Sequence, residues 1–431
     1  MTSSVDYRPA RERLARVFAE LDFKSAAAVL DFQIQLIDEI CRAESASTPE
    51  AKDHIMILRA FGDALAHGLL TTHALRQLAK NEGATQPSLM SQGQAFLNTK
   101  SMAERLSSDG SLVLFADINN IVKIGDLIVC DYPDIPSIVE CKSKLPKTQH
   151  LLQGRRGRQF ERAFESVKYM KEGHRISGSA DRPERLLATT ESDVPISWVW
   201  SAVETALSSL TDQQVVSMET EPGAGLVAIS RQTATSNIEF PDFAKRMRRL
   251  AYSPHTEILF GTPFYAPPLS WPLPISQRIA LMEADYLLFR FLDIISLQES
   301  FLKEGLSLSL RDPKDEDYLF DILNLPHPIQ HLSMSHRPSR DVVFGYQTVS
   351  STARFHTVAT NRVFQRSSAL LAPVQPEALG VGIFPMQPNI FEGVPGMIIV
   401  SPALGETSGT ASDEQQSSRP TENSHGDDTE Q

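Results

Sequence analysis

Apolar residues in the first 80 positions recur roughly every three to four residues, which is typical of helices with one buried face. The pattern predicts helix over residues 8–43, with a break at the polar segment 22–25. A second predicted helix covers 53–80 and ends near Asn81, a residue that stops helices. The chain is therefore expected to begin with a helical segment over residues 1–50.

The pattern changes between residues 111 and 143. Short runs rich in Val, Ile and Leu alternate with turn residues, which predicts three sequential antiparallel strands within SLVLFAD, VKIGDLIVCDY and PSIVECKS. A helix is predicted next over 155–171, because Ala163, Val167 and Met170 share one helical face with neighbouring apolar residues.

The polar stretch 178–193 is read as a long loop or a domain boundary, and residues 190–403 as an α+β C-terminal domain of unknown role. In this half the pattern predicts helices over 198–210, 276–304 and 360–371, and strands over 214–219, 225–230 and 342–349. Residues 404–431 form an acidic, low-complexity tail that we expect to be disordered.

Composition adds limits on the class of protein. The chain has 431 residues, of which 41% are hydrophobic and 22% charged, as in globular proteins. It has no apolar run long enough to predict a membrane span. Its three cysteines form no CxxC pair, so neither a disulfide framework nor a zinc cage is expected. A cytoplasmic protein with no membrane partner is the resulting expectation.

The charge is acidic overall but basic in one place. The net charge of −12 argues against a protein covered with positive charge. Residues 142–175, however, contain ten basic and three acidic residues. A local basic patch of this kind is typical of a nucleic-acid contact.

Three residues in the strand region form the strongest chemical pattern. Asp126 lies in one predicted strand, and Glu140 and Lys142 lie in the next one, on the same face because side chains alternate along a strand. Two carboxylates on adjacent strands repel each other unless a cation lies between them. Mg²⁺, or Mn²⁺ in its place, suits such oxygen ligands, and Lys142 could orient a water molecule or stabilise developing charge.

These residues, with the order helix, three strands, helix, resemble the PD-(D/E)xK superfamily of metal-dependent nucleases over residues 50–175. The motif reads Gly125-Asp126 followed by Glu140-Cys141-Lys142, with Gly125 where the family often has proline. The resemblance implies a restriction-endonuclease-like α/β domain over 51–180, a mixed sheet flanked by helices. It also implies a further acidic metal ligand, for which Asp63 is the candidate, and a helical glutamine, for which Gln159 is the candidate.

The resemblance implies phosphodiester hydrolysis, with DNA favoured over RNA as the substrate. By analogy, it suggests prokaryotic defence or DNA processing. Arg155, Arg156 and Arg158 begin the predicted helix after Lys142, where side chains and free helix N–H groups could bind phosphates. The C-terminal domain is the expected surface for a second copy of the chain or a protein partner.

Less specific interpretations stay open at this point. Asp126, Glu140 and Lys142 could be charged residues at an ordinary sheet edge. Asp63 could lie on a solvated helix face near Arg59 and His67, and Gln159 and the arginines could be solvated surface. A non-catalytic binding or assembly module with a nuclease fold is the alternative function.

Overall fold

The part of the chain that the computed structural model describes contains both helices and strands. It comprises residues 6–46, 48–79, 86–133, 135–142, 154–172, 174–179, 182–188, 197–210, 214–231, 249–252, 266–310, 318–322, 332–335, 353–354, 380–385 and 396–401.

The described chain begins with helices, and the sequence pattern predicted those that lie before residue 80. They are α1 (Arg8–Ala19), α2 (Ala26–Ala46), α3 (Pro49–Leu69), α4 (Thr72–Leu78), α5 (Leu89–Gln92) and α6 (Gln94–Ser108). The predicted helix over 53–80 is two helices, because Leu70 has an extended backbone and Thr71 caps a new helix. The Thr71 side chain accepts a hydrogen bond from the Ala74 N–H at 3.3 Å, which satisfies a free donor of the first turn.

Three strands follow, and they pair antiparallel as predicted. They are β1 (Val113–Phe115), β2 (Leu127–Val129) and β3 (Ser137–Lys142). Two later strands, β13 (Gly380–Pro385) and β14 (Gly396–Ser401), extend the sheet in the order β1-β2-β3-β14-β13. Every described pairing in this sheet is antiparallel. The prediction of a mixed sheet was therefore wrong for the described strands.

The helix after β3, α7 (Gly154–Glu172), matches the predicted helix closely. Ala163, Val167 and Met170 are buried, which confirms the predicted apolar face. They belong to the same core as apolar side chains of α1 to α4, α6 and β1 to β3. The N-terminal helices are therefore part of the core that supports the sheet.

Helix α2 also protects the open edge of the sheet. The Gln33 side chain is fully buried, and its Nε2 donates to the Val113 carbonyl oxygen at 2.7 Å. Its Oε1 accepts a hydrogen bond from the Phe115 N–H at 3.0 Å. One glutamine thus replaces a neighbouring strand for β1, an edge that would otherwise offer free backbone groups to another chain.

The C-terminal half contains further sheets. Its elements are β4 (His174–Ser179), β5 (Arg182–Ala188), α8 (Trp200–Ser209), β6 (Val215–Glu221), β7 (Ala224–Ser230), β8 (Arg249–Tyr252), α9 (Ile275–Met282), β9 (Tyr286–Asp293), α10 (Ile294–Lys303), β10 (Leu308–Leu310), β11 (Tyr318–Ile322) and β12 (Leu332–Ser335). The sheets have the orders β4-β5, β6-β7-β9-β8 and β10-β11-β12. A second core forms where α8 packs on β6 and β7, which confirms the predicted helix and hairpin there.

Two predictions in this half were wrong. The long helix over 276–304 is instead α9, β9 and α10. Strand β9 pairs with β7 and β8, and its two faces belong to different hydrophobic clusters, Leu288 to one and Phe291 to the other. Apolar residues on both faces give a continuous apolar run that imitates a helix. The loop expected over 178–193 contains all of β5, which pairs with β4.

Several predictions fall on residues outside the described part of the chain. They are the strand over 342–349, the helix over 360–371 and the tail over 404–431. Among the described helices, none combines the length and the apolar character needed to cross a membrane.

Candidate functional site

The predicted site lies at one end of the β1-β2-β3 part of the sheet. Asp126 immediately precedes β2, and its backbone is fixed on both sides. Its carbonyl oxygen accepts a hydrogen bond from the Ala116 N–H at 3.1 Å, and its N–H donates to the Val139 carbonyl oxygen at 2.9 Å. Asp126 therefore joins the end of β1 to the middle of β3.

The carboxylate of Asp126 is directed at β3. Its Oδ2 accepts a hydrogen bond from the Cys141 N–H at 2.6 Å, so Asp126 contacts the residues on both sides of Glu140. Glu140 is buried, with 7% of its surface exposed. Lys142 is the last residue of β3 and pairs in register with Gly396, and its side chain lies outside the described part of the structure.

Gly125 has a backbone conformation that proline cannot adopt. Its φ is +85°, in the region that favours glycine, whereas proline is fixed near −65°. A Cβ at this position would lie 2.7 Å from Ile138 Cγ2. Glycine therefore suits this tight entry into β2, and proline does not fit the backbone found here.

Asp63 has a structural role that the sequence did not predict. It is fully buried, and its Oδ1 accepts hydrogen bonds from the N–H groups of Asn120 at 2.6 Å and Ile121 at 3.0 Å. Its Oδ2 accepts a third from Asn120 Nδ2 at 2.9 Å. Burial raises the pKa of Asp63 to about 7, although these hydrogen bonds act in the opposite direction. Asp63 is thus an anchor for the loop between β1 and β2 and does not lie on a solvated helix face. Its role as a metal ligand stays a prediction.

The loop between β1 and β2, residues 116–126, is held by further polar contacts. Gln86 Nε2 donates to the carbonyl oxygens of Ala116, Asn119 and Val122 at 2.7 to 3.2 Å. Helix α3 approaches it so closely that a Cβ on Gly62 would lie 2.3 Å from the Ile118 carbonyl oxygen. These contacts fix the backbone that carries Asp126.

Asp117, which the sequence analysis missed, is a third acidic residue at this end of the sheet. It lies just past β1, and its Oδ2 accepts a hydrogen bond from Gln92 Nε2 at 3.0 Å. Burial raises the pKa of Asp117, and the negative charge of Glu140 contributes to this shift. No family motif marks Asp117. The sequence signal that could have identified Asp117 is its position two residues after β1, the strand that pairs with β2.

Two basic residues accompany these acids. Arg59 is mostly buried, and burial lowers its pKa while the charges of Glu44 and Asp117 oppose that change. Its Nη2 donates to the Pro87 carbonyl oxygen at 2.8 Å. Burial also lowers the pKa of Lys123. Positive charge therefore compensates part of the negative charge in this region.

The predicted residues of α7 are described only in part. Gln159 is half-buried, and no described hydrogen bond joins it to Asp126 or Glu140. Arg158 is exposed in the first turns of the helix, and the side chains of Arg155 and Arg156 lie outside the described structure. The exposed position of Arg158 is compatible with a contact to phosphate.

Within the described residues, no group of three or more His, Cys, Asp or Glu side chains is arranged to hold a metal ion. The pair formed by Asp126 and Glu140 offers carboxylate oxygens, the donors that Mg²⁺ prefers, and Mg²⁺ commonly binds one or two carboxylates and several waters.

Comparison with protein-family models, curated proteins and solved structures finds no match to this chain.

Proposed function

We propose that the chain is a Mg²⁺-dependent nuclease that hydrolyses phosphodiester bonds in DNA. The observation that carries the proposal is the 2.6 Å hydrogen bond from the Cys141 N–H to Asp126 Oδ2. It puts the acid before β2 beside Glu140, and Lys142 follows in the same strand. Glu140 and Lys142 follow Asp126 by fourteen and sixteen residues, and the antiparallel pairing of β2 with β3 brings Asp126 next to Glu140.

The donor set fits the ion. Asp126 and Glu140 supply oxygen ligands at the end of a sheet, and Asp117, whose pKa is raised by burial and by the charge of Glu140, adds a third acidic residue there. Buried carboxylates close to one another favour a nearby cation, because each raises the energetic cost of ionising the other. When bound, Mg²⁺ would supply an activated water and neutralise charge on the scissile phosphate.

The chain's own residues have separate tasks in this proposal. Asp126 and Glu140 bind the ion, and the fixed loop before Asp126 keeps its carboxylate in one position. Lys142 orients the attacking water or stabilises charge that develops on the phosphate. Arg158, with Arg155 and Arg156, binds the phosphate backbone at the start of α7, where the helix N–H groups add to the attraction.

One observation favours the alternative, a non-catalytic binding or assembly module. The Asp126 carboxylate already accepts a backbone hydrogen bond from β3, so it has a structural use that requires no metal. The two functions differ in a measurable way, because only the nuclease needs the Glu140 carboxylate and the Lys142 amine.

The test measures two properties of the full chain: cleavage of DNA with Mg²⁺ or Mn²⁺, and Mn²⁺ binding by electron paramagnetic resonance. We expect Glu140→Gln to lose both cleavage and tight Mn²⁺ binding, and Lys142→Ala to lose cleavage alone. Asp131→Asn is the matched control, because Asp131 binds the Leu112 N–H at the opposite end of β1 and β2. Wild-type protein that binds DNA without cutting it, with or without either ion, would favour the module instead.

A further inference from the structure

The first turn of α1 connects the N-terminal core to the C-terminal half of the chain. Arg11 Nε donates to Glu283 Oε1 at 2.8 Å, and Arg8 lies 3.3 Å from both Glu283 and Asp285. Glu283 and Asp285 belong to the turn between α9 and β9. We call this set of contacts, together with Tyr7, the α1 clasp.

His54 of α3 lies directly behind the clasp. It is fully buried, and within the described structure neither of its ring nitrogens has a hydrogen-bond partner. The ring of Tyr7 stacks on it, with the ring centroids 4.3 Å apart. A positive charge on this buried imidazole is unfavourable, because no protein acceptor compensates it.

The charged groups that act on His54 come from two helices. Arg11 of α1 disfavours a second positive charge, and Glu39 of α2 favours it. Glu39 is itself bound by Arg13 and Arg42, which offset its charge. The turn Pro268–Ser270, which also packs on α3, contributes no ionisable side chain.

We propose that His54 makes the α1 clasp sensitive to acid: protonation of its buried ring releases Tyr7 and the first turn of α1 from α3 and from Glu283. Once released, the imidazolium gains contact with water and moves away from Arg11. The contact between the N-terminal helix and the C-terminal half therefore weakens as the pH falls. This inference does not depend on the proposed nuclease activity.

The sign and size of the effect follow from the pKa of His54. Burial, aided by the charge of Arg11, lowers that pKa from 6.5 to about 4 in the closed form. At pH values between these two, the open form therefore binds more protons than the closed form. The clasp is fully stable above the open-state pKa and loses stability as the pH falls below it. Between pH 7.5 and pH 5 the opening equilibrium is expected to shift on the order of 30-fold.

Hydrogen exchange of the full chain at pH 7.5 and pH 5 tests the proposal, with rates corrected for intrinsic exchange. We expect increased exchange in residues 8–13 at pH 5 in the wild type and in His67→Gln, a control in the same helix. His54→Gln, which stays neutral, should not show the increase.

A direct titration of His54 by nuclear magnetic resonance covers the case in which His54→Gln does not fold. The proposal requires the ring to resist protonation well below pH 6.5 while α1 is closed. Ordinary titration near pH 6.5 with α1 still protected would overturn it, as would an equal acid response in His54→Gln.

Discussion

At the scale of single residues, Asp63 shows how one buried carboxylate can hold a loop. Asp63→Ala would leave the N–H groups of Asn120 and Ile121 without their acceptor. Unsatisfied buried donors cost about 1–3 kcal/mol each, so we expect a loss of about 2–4 kcal/mol in the free energy of unfolding. Urea denaturation measures it, with the exposed Asp53→Ala in the same helix as a control that should change little. An equal effect of both variants would contradict the anchoring role.

A second prediction at this scale concerns Ala284, whose φ of +55° is rare for a residue with a Cβ. It ends α9 in a Schellman motif, in which the Asp285 N–H donates to the Ala280 carbonyl oxygen at 2.8 Å. Glycine adopts this conformation without strain, so Ala284→Gly should stabilise the fold by up to about 1 kcal/mol. Ala280→Gly, inside the same helix, should instead cost about 1 kcal/mol. Thermal unfolding distinguishes the two, and destabilisation by both would refute the strain argument.

At the scale of elements, the entry into β2 depends on Gly125. Gly125→Ala places a Cβ 2.7 Å from Ile138, and a left-handed backbone with a side chain costs about 1–2 kcal/mol before any overpacking. Gly110→Ala is a matched control, because its φ is +93° and nothing lies within 4 Å of the added Cβ. We expect Gly125→Ala to destabilise the protein by about 1–3 kcal/mol more than Gly110→Ala, as overpacking does. Equal losses would mean that Ile138 moves aside freely.

At the scale of the whole molecule, an acidic chain needs a local positive surface to bind DNA. Each lost phosphate contact should reduce the slope of log affinity against log salt by about one unit. Replacing Arg155, Arg156 and Arg158 by alanine should therefore weaken binding and flatten its salt dependence. A control replaces the exposed Lys24, Lys52 and Arg105, located on other elements, and removes the same charge. Identical slopes for the two triple variants would place the DNA elsewhere.

The amino-acid sequence by itself determined much of the local structure described between residues 6 and 172. The helical period over 8–43, the polar break before α2 and the three short apolar runs predicted elements that are present, because each pattern buries an apolar face. The period over 53–80 did not reveal the break between α3 and α4, and α5 and α6 were not predicted. The adjacency of Asp126 to the strand carrying Glu140 could be predicted for the same reason, because a short connection between sequential strands makes them neighbours.

Tertiary structure alone decided the remaining features. Strand β9 became a strand because β7 and β8 pair with it on both sides, and β14 joined β3 from more than 250 residues away. Asp63 became a loop anchor and Asp117 a neighbour of Glu140 because α3 and the β1–β2 loop meet in the core. A side chain's role depends on which donors and charges surround it after folding, and residues distant in sequence supply most of those.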